Sequence, residues 1–295
     1  IGLFLISALR SSVPVALAAV GGTFSARCGI MPMGMEGFIL MGAFGATCGS
    51  YFTNNPWIGL LCGVLLSALY ALLHGVLCVQ YHMDQVICGI GLNMFATGFT
   101  TSLTQVIWGS RANSASVEAL PHITLPILGN VSFILPLAVV IGILGWAFMF
   151  RTPWGLRLRI VGEKPLAART MGISIRKYRF LGELIVGVLC GLAGSYLAID
   201  HVNRFAYEMS AGRGYIAVAV NILGAYNPIG SLLGSLIFGG AAALKNIFTD
   251  GSVPSQLLDL CPYLVTILVV TFAVRQVRTA LLYLFSHIYA SAYTR

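Results

Sequence analysis

Long runs of this chain carry no Asp, Glu, Lys or Arg, among them residues 37–83, 85–110, 214–244 and 260–274. A helix needs about 20 apolar residues to cross the hydrocarbon core of a bilayer, so runs of this kind are membrane spans, and residues 37–83 have room for two. In hydrocarbon every backbone polar group must be satisfied internally, and without strand-like alternation the spans must be helices. Only 9% of the residues are charged, against about 25% in an ordinary soluble domain.

The charges that remain are unevenly placed. Residues 151–179 contain eight of the seventeen Lys and Arg and a single acid, Glu163. Lys and Arg resist translocation, so this loop is expected in the cytoplasm. Apolar runs bounded by Gly, Pro and polar clusters give about nine membrane segments, at 3–24, 34–51, 56–80, 85–108, 131–150, 180–200, 211–225, 229–248 and 257–274. With the loop inside, twelve Lys and Arg fall inside, Arg27, Arg275, Arg278 and Arg295 among them, against Arg111, Arg204, Arg213 and Lys245 outside. The expected topology has the N-terminus outside and the C-terminus in the cytoplasm. The fold class is all-α, a polytopic transmembrane bundle over residues 1–274, with a cytoplasmic tail at 275–295 that is a candidate interfacial helix.

The net charge of +8 follows from this topology and does not indicate a nucleic-acid partner. The seven cysteines are scattered in apolar sequence without a Cys-x-x-Cys pair, and read as small buried hydrophobes. The five His form no metal-binding motif, and His74 has no acid at helical spacing. No metal, cofactor or catalytic constellation is expected. The connection 109–130, rich in Asn, Ser and Pro, is expected to be turns.

Two spans open irregularly. Residues 28–37 hold three Gly and Pro32 before an apolar helix, and residues 211–216 open another; Glu36-Gly37-Phe38-Ile39 overlays on Arg213-Gly214-Tyr215-Ile216. The two helices run in opposite directions in the expected topology, the relation between inverted repeats with broken helices. Within the basic loop, residues 162–173 read as a short helix with a Pro start and a Gly stop.

Four stretches together resemble the permease subunit of ATP-binding-cassette importers, in the branch serving nucleosides and simple sugars and akin to ribose and branched-chain amino acid permeases. They are Gly34-Met35-Glu36-Gly37-Phe38-Ile39-Leu40-Met41-Gly42-Ala43-Phe44; Asp84-Gln85-Val86-Ile87-Cys88-Gly89 followed by Leu92-Asn93; Gly162-Glu163-Lys164-Pro165 with Ala167-Ala168 and Gly172-Ile173; and Ala211-Gly212-Arg213-Gly214-Tyr215-Ile216-Ala217. The likeness runs from about residue 9 to 274, with departures at Pro32, where the family has Asn, and at Ala26, where it has an acid.

The resemblance implies a non-catalytic permease in a bacterial inner membrane that moves a nucleoside or related solute. It implies three protein partners: an ATPase subunit, a second permease chain and an extracytoplasmic substrate-binding protein. It makes residues 162–172 the coupling helix, with Gly162, Glu163, Lys164, Pro165, Ala167, Ala168 and Gly172 facing the ATPase. The absence of an extra N-terminal span fits the shorter member of a heterodimeric permease pair. Polar residues within spans usually face a bundle interior or a wet cavity, which makes Asn93 the first pathway candidate, with Glu36, Gln85 and Asn221 behind it. The alternative is an ion-coupled secondary transporter, which requires an ionisable residue in mid-span. By depth only Arg10 and Glu183 qualify, and both are expected near span ends.

Overall fold

The computed structural model describes residues 2–125, 129–248 and 271. In chain order these form α1 (Gly2–Arg27), α2 (Met35–Thr53), α3 (Pro56–Gly75), α4 (Gln85–Trp108), a hairpin of β1 (His122–Leu125) and β2 (Gly129–Ser132), α5 (Ile134–Arg151), α6 (Pro153–Glu163), α7 (Pro165–Thr170), α8 (Ile175–Ser195), α9 (Arg213–Leu223) and α10 (Pro228–Phe248). α3 and α8 each run on into a π-helical segment, Val76–Gln80 and Tyr196–His201. Among the described residues, five helical stretches are long and apolar enough to cross a membrane: Ile6–Arg27, Pro56–Gln80, Gln85–Trp108, Ile134–Arg151 and Ile175–His201.

Each of the first eight expected segments contains a helix. The ninth, 257–274, and the tail 275–295 lie outside the described residues except at Thr271. Segment 211–225 needs correction. α9 has 11 residues and at 1.5 Å per residue is about 16 Å long, half the hydrocarbon thickness. It is a half-helix, and residues 202–212 bring the chain to its start without helical structure of α type.

The 109–130 connection is partly extended rather than a string of turns. Ser114 N–H donates to Phe205 C=O at 2.9 Å and Val117 N–H to Asn203 C=O at 2.9 Å, so this segment lies along the chain that follows α8. The hairpin after it pairs antiparallel from His122↔Ser132 to Leu125↔Gly129. α6 is an addition to the expected elements. Its start is local: Thr152 accepts from Gly155 N–H at 3.2 Å and Pro153 occupies the first turn, a position where a missing N–H costs nothing.

The core is made by helices approaching closely across small residues, as is usual where lipid removes the hydrophobic drive between helices. A Cβ on Gly42 of α2 would sit 2.8 Å from Gly191 Cα of α8, and one on Gly187 would sit 2.6 Å from the Ala71 Cβ of α3. α1 is the central helix, buried from Val13 to Val20 and packed against α5, α8, α9 and α10.

Candidate functional site

The two irregular openings meet. The Glu36 carboxylate, in the first turn of α2, accepts Gly212 N–H on Oε1 and Gly214 N–H on Oε2, both at 2.7 Å. It therefore satisfies orphan donors at the start of α9, where the helix dipole also favours negative charge. The backbone must be bare here. Gly212 has φ +77°, and a Cβ on Gly214 would lie 2.3 Å from Glu36 N. Arg213 turns back, donating to the carbonyls of Met209 at 2.9 Å and Ser210 at 3.3 Å.

Asn93, on α4, holds the other side of the junction. Its carbonyl oxygen accepts Gly37 N–H at 2.8 Å, while its amide group donates to Met33 C=O and Tyr215 Oη, each at 2.9 Å. One side chain thus joins the loop before α2, the first turn of α2 and α9. Gln85 pins the same loop lower down, accepting from Met31 N–H at 2.8 Å and donating to Gly29 C=O at 3.2 Å.

A cavity of about 300 Å³ opens on this junction, walled by Glu36, Asn93, Thr97, Glu208, Ser210 and Tyr215 among others. A second of about 350 Å³ adjoins it, shares Thr97, and continues past Thr101, Ser102 and Gln105 to Arg111 and Tyr207. Asn93, Thr97, Thr101 and Gln105 recur every four residues, so they form one stripe along α4. The face beside that stripe is bare: a Cβ at Gly91 or at Gly98 would meet no atom within 4 Å. Thr97 and Tyr215 were readable as polar groups in apolar helices; Glu208 had no sequence signal.

The structure brings Glu36 and Asn93 together and sets Gln85 at the foot of their loop, but Asn221 belongs elsewhere. Asn221 is buried, accepts from Ser231 Oγ at 3.0 Å, and abuts α1 at Gly22. It fixes the α9–α10 turn and does not line the cavity.

The expected short helix is present as α7, ended by Gly172 at φ +73°. Its residues face different ways. Lys164, Leu166, Ala167, Thr170 and Met171 are exposed, whereas Ala168 is fully buried. Ala168 therefore packs inward and cannot meet a partner, contrary to expectation. Gly162 also points inward, since a Cβ there would lie 2.1 Å from Arg27 C=O. Glu163 pairs with Arg27 at 3.3 Å, and Arg27 donates to Tyr226 C=O at 3.0 Å and Ala225 C=O at 3.1 Å.

Glu183 and His74 meet across helices. Glu183 is fully buried in α8, a few residues past the end of the basic loop. His74 Nδ1 lies 3.1 Å from Glu183 Oε2, and Ser25 Oγ donates to Oε1 at 2.5 Å. The acid missing from His74's own helix comes from another one.

The family profile described as branched-chain amino acid transport system permease component matches residues 4–271. The nucleoside ABC transporter permease protein NupC of Lactococcus lactis subsp. cremoris is 36% identical over 279 residues, covering 88% of each chain. The guanosine ABC transporter permease protein NupQ of Bacillus subtilis is 34% identical over 283 residues, again 88% of each. A solved structure described as a metal-chelate-type ABC transporter in an inward-facing conformation superposes with a TM-score of 0.53 at 15% identity, over 92% of this chain and 85% of that one, an agreement of fold alone. The chain belongs to the branched-chain amino acid transport system permease family, as a multi-pass inner-membrane permease of the ABC importer kind and not an enzyme.

Proposed function

We propose that this chain and a second, related permease chain form the path by which a nucleoside crosses the inner membrane. An ATPase subunit docks on α7 at the cytoplasmic face and supplies the energy, and an extracytoplasmic binding protein delivers the solute. The observation that carries this reading is the pair of adjoining polar cavities along α4. Asn93, Thr97, Thr101 and Gln105 offer a hydroxyl and amide track beside a glycine-bare face that a second chain can approach. The hydroxyls of Thr97 and Thr101 are satisfied within α4, and polar side chains within spans usually face a bundle interior or a wet cavity. A nucleoside, with a ring face and a sugar rich in hydroxyls, suits a lining of Tyr215, Thr and Asn side chains. Relatives named for nucleosides and guanosine support the same solute class.

Thr97 provides the test because it borders both cavities, and its hydroxyl bonds only its own helix, at Asn93 C=O, 3.2 Å. Thr97→Trp fills the path while leaving every interhelical hydrogen bond intact. The expected result in proteoliposomes is loss of labelled-guanosine uptake by about ten-fold or more, equal to at least 1.4 kcal/mol, with normal assembly. Unchanged uptake would place the path elsewhere.

A further inference from the structure

His74 Nε2, Cys78 Sγ and Cys88 Sγ converge, all within 4.8 Å of one another and all three residues buried. They come from two helical segments, His74 on α3, Cys78 on the π-helical turn that ends it, and Cys88 in the first turn of α4. π-helical turns are rare and concentrate at functional sites. This one carries a thiol to 3.4 Å from His74 Nε2. A metal with bonds of about 2.3 Å to sulfur and about 2.0 Å to nitrogen at a tetrahedral angle sets these two atoms about 3.5 Å apart.

The other side of the imidazole is prepared as well. His74 Nδ1 lies against Glu183 Oε2, so in the neutral imidazole this contact favours the proton on Nδ1 and leaves the Nε2 lone pair toward the thiols. A carboxylate behind a His in this way is the usual support of a metal-bound imidazole, fixing its tautomer and raising its basicity. Ser25 holds Glu183 in turn. The set is therefore two sulfurs and one nitrogen with an oriented outer partner, a donor set that favours thiophilic cations.

We propose that His74, Cys78 and Cys88 form a binding site for a thiophilic d¹⁰ cation, zinc being the preferred ion because its two charges cancel those of two thiolates in a buried place. On binding, Cys78 and Cys88 each lose a proton to solvent, and the ion occupies the space between the three donors. Access runs through the exposed Tyr81–Asp84 connection, at the end of the bundle where Gln80 meets Arg176 of the basic loop. The ion would tie α3 to α4 across that connection, at the foot of the helix carrying the polar stripe. This proposal does not depend on the solute or on the path.

The test uses the purified transporter complex with Co²⁺ as a spectroscopic probe, then Zn²⁺ in competition with a chromophoric chelator. The expected result is a single Co²⁺ per chain, bound with release of protons and with thiolate-to-cobalt charge-transfer absorbance, and displaced by Zn²⁺ without further proton release. Cys88→Ser and Cys78→Ser should each weaken binding by about ten-fold or more and reduce the band. The Cys48→Ser/Cys62→Ser double variant, altered on the α2–α3 contact, should keep both. His74→Ala is a poor probe because it strands a buried carboxylate. The absence of bound cobalt, or a band that survives both Cys78→Ser and Cys88→Ser, would overturn the site.

Discussion

At Asn93, both amide donors and the carbonyl oxygen are committed to the protein. In the proposed path its part would therefore be positional, keeping the start of α2 in place as a wall of the cavity. Asn93→Leu would leave Gly37 N–H and Met33 C=O without partners in a water-poor setting, at a cost of about 1–3 kcal/mol each. The expected outcome is a lower melting temperature of the complex in detergent and a reduced yield, with uptake lost as a consequence. A variant as stable as the wild type would mean that water replaces the amide. The contrast with Thr97 is physical: its hydroxyl bonds its own helix, so its replacement strands no group on a neighbour.

α7 divides the expected partner-facing residues by geometry. A six-residue helix has one face against the protein and one away from it. Leu166 is 80% exposed and Met171 67%, while Ala168 is 0%. An apolar exposed pair on a polar loop is what a groove of another protein would cover. Leu166→Glu is therefore the probe of docking, and it should abolish co-purification of the ATPase subunit while leaving membrane insertion unchanged, since one added acid preserves the excess of Lys and Arg. Retention of the ATPase at wild-type stoichiometry would remove α7 from the interface. Ala168→Glu would buck the fold instead, by burying a charge. The limits of α7 were legible in the sequence because Pro165 and Gly172 act locally. Its orientation was not, because the inward face of so short a helix is chosen by what packs on it. The same distinction separates the spans from the junctions. Apolar runs gave α1 to α5 directly, whereas the shortness of α9 was hidden because it shares the uncharged run 214–244 with α10. The His74–Glu183 contact was hidden by a separation of 109 residues.

For the molecule as a whole, two groups of contacts define opposite ends. Arg27, Glu163 and the carbonyls of Ala225 and Tyr226 gather at one, and residues 112–117 lie along 203–207 at the other. Placing the basic loop in the cytoplasm makes the first group internal. In a cysteine-depleted background, Thr170→Cys should react with an impermeant maleimide only after the inner face is opened. Ser116→Cys should react in intact cells; its neighbour Ser114 is buried and unsuited. The reverse pattern would invert the molecule in the membrane and remove α7 from reach of ATP.

Between these ends stands α9, gripped at both of its own. Its first N–H groups are held by Glu36 at the cavity, and the turn after its last residue is held by Arg27, which also holds Glu163 beside α7. A regular helix resists compression along its axis, so α9 is a push-rod of about 16 Å. On the proposed function, a shift of the loop that carries α7 would be passed to the Glu36 carboxylate through one strut and two sets of hydrogen bonds, without requiring any span to bend.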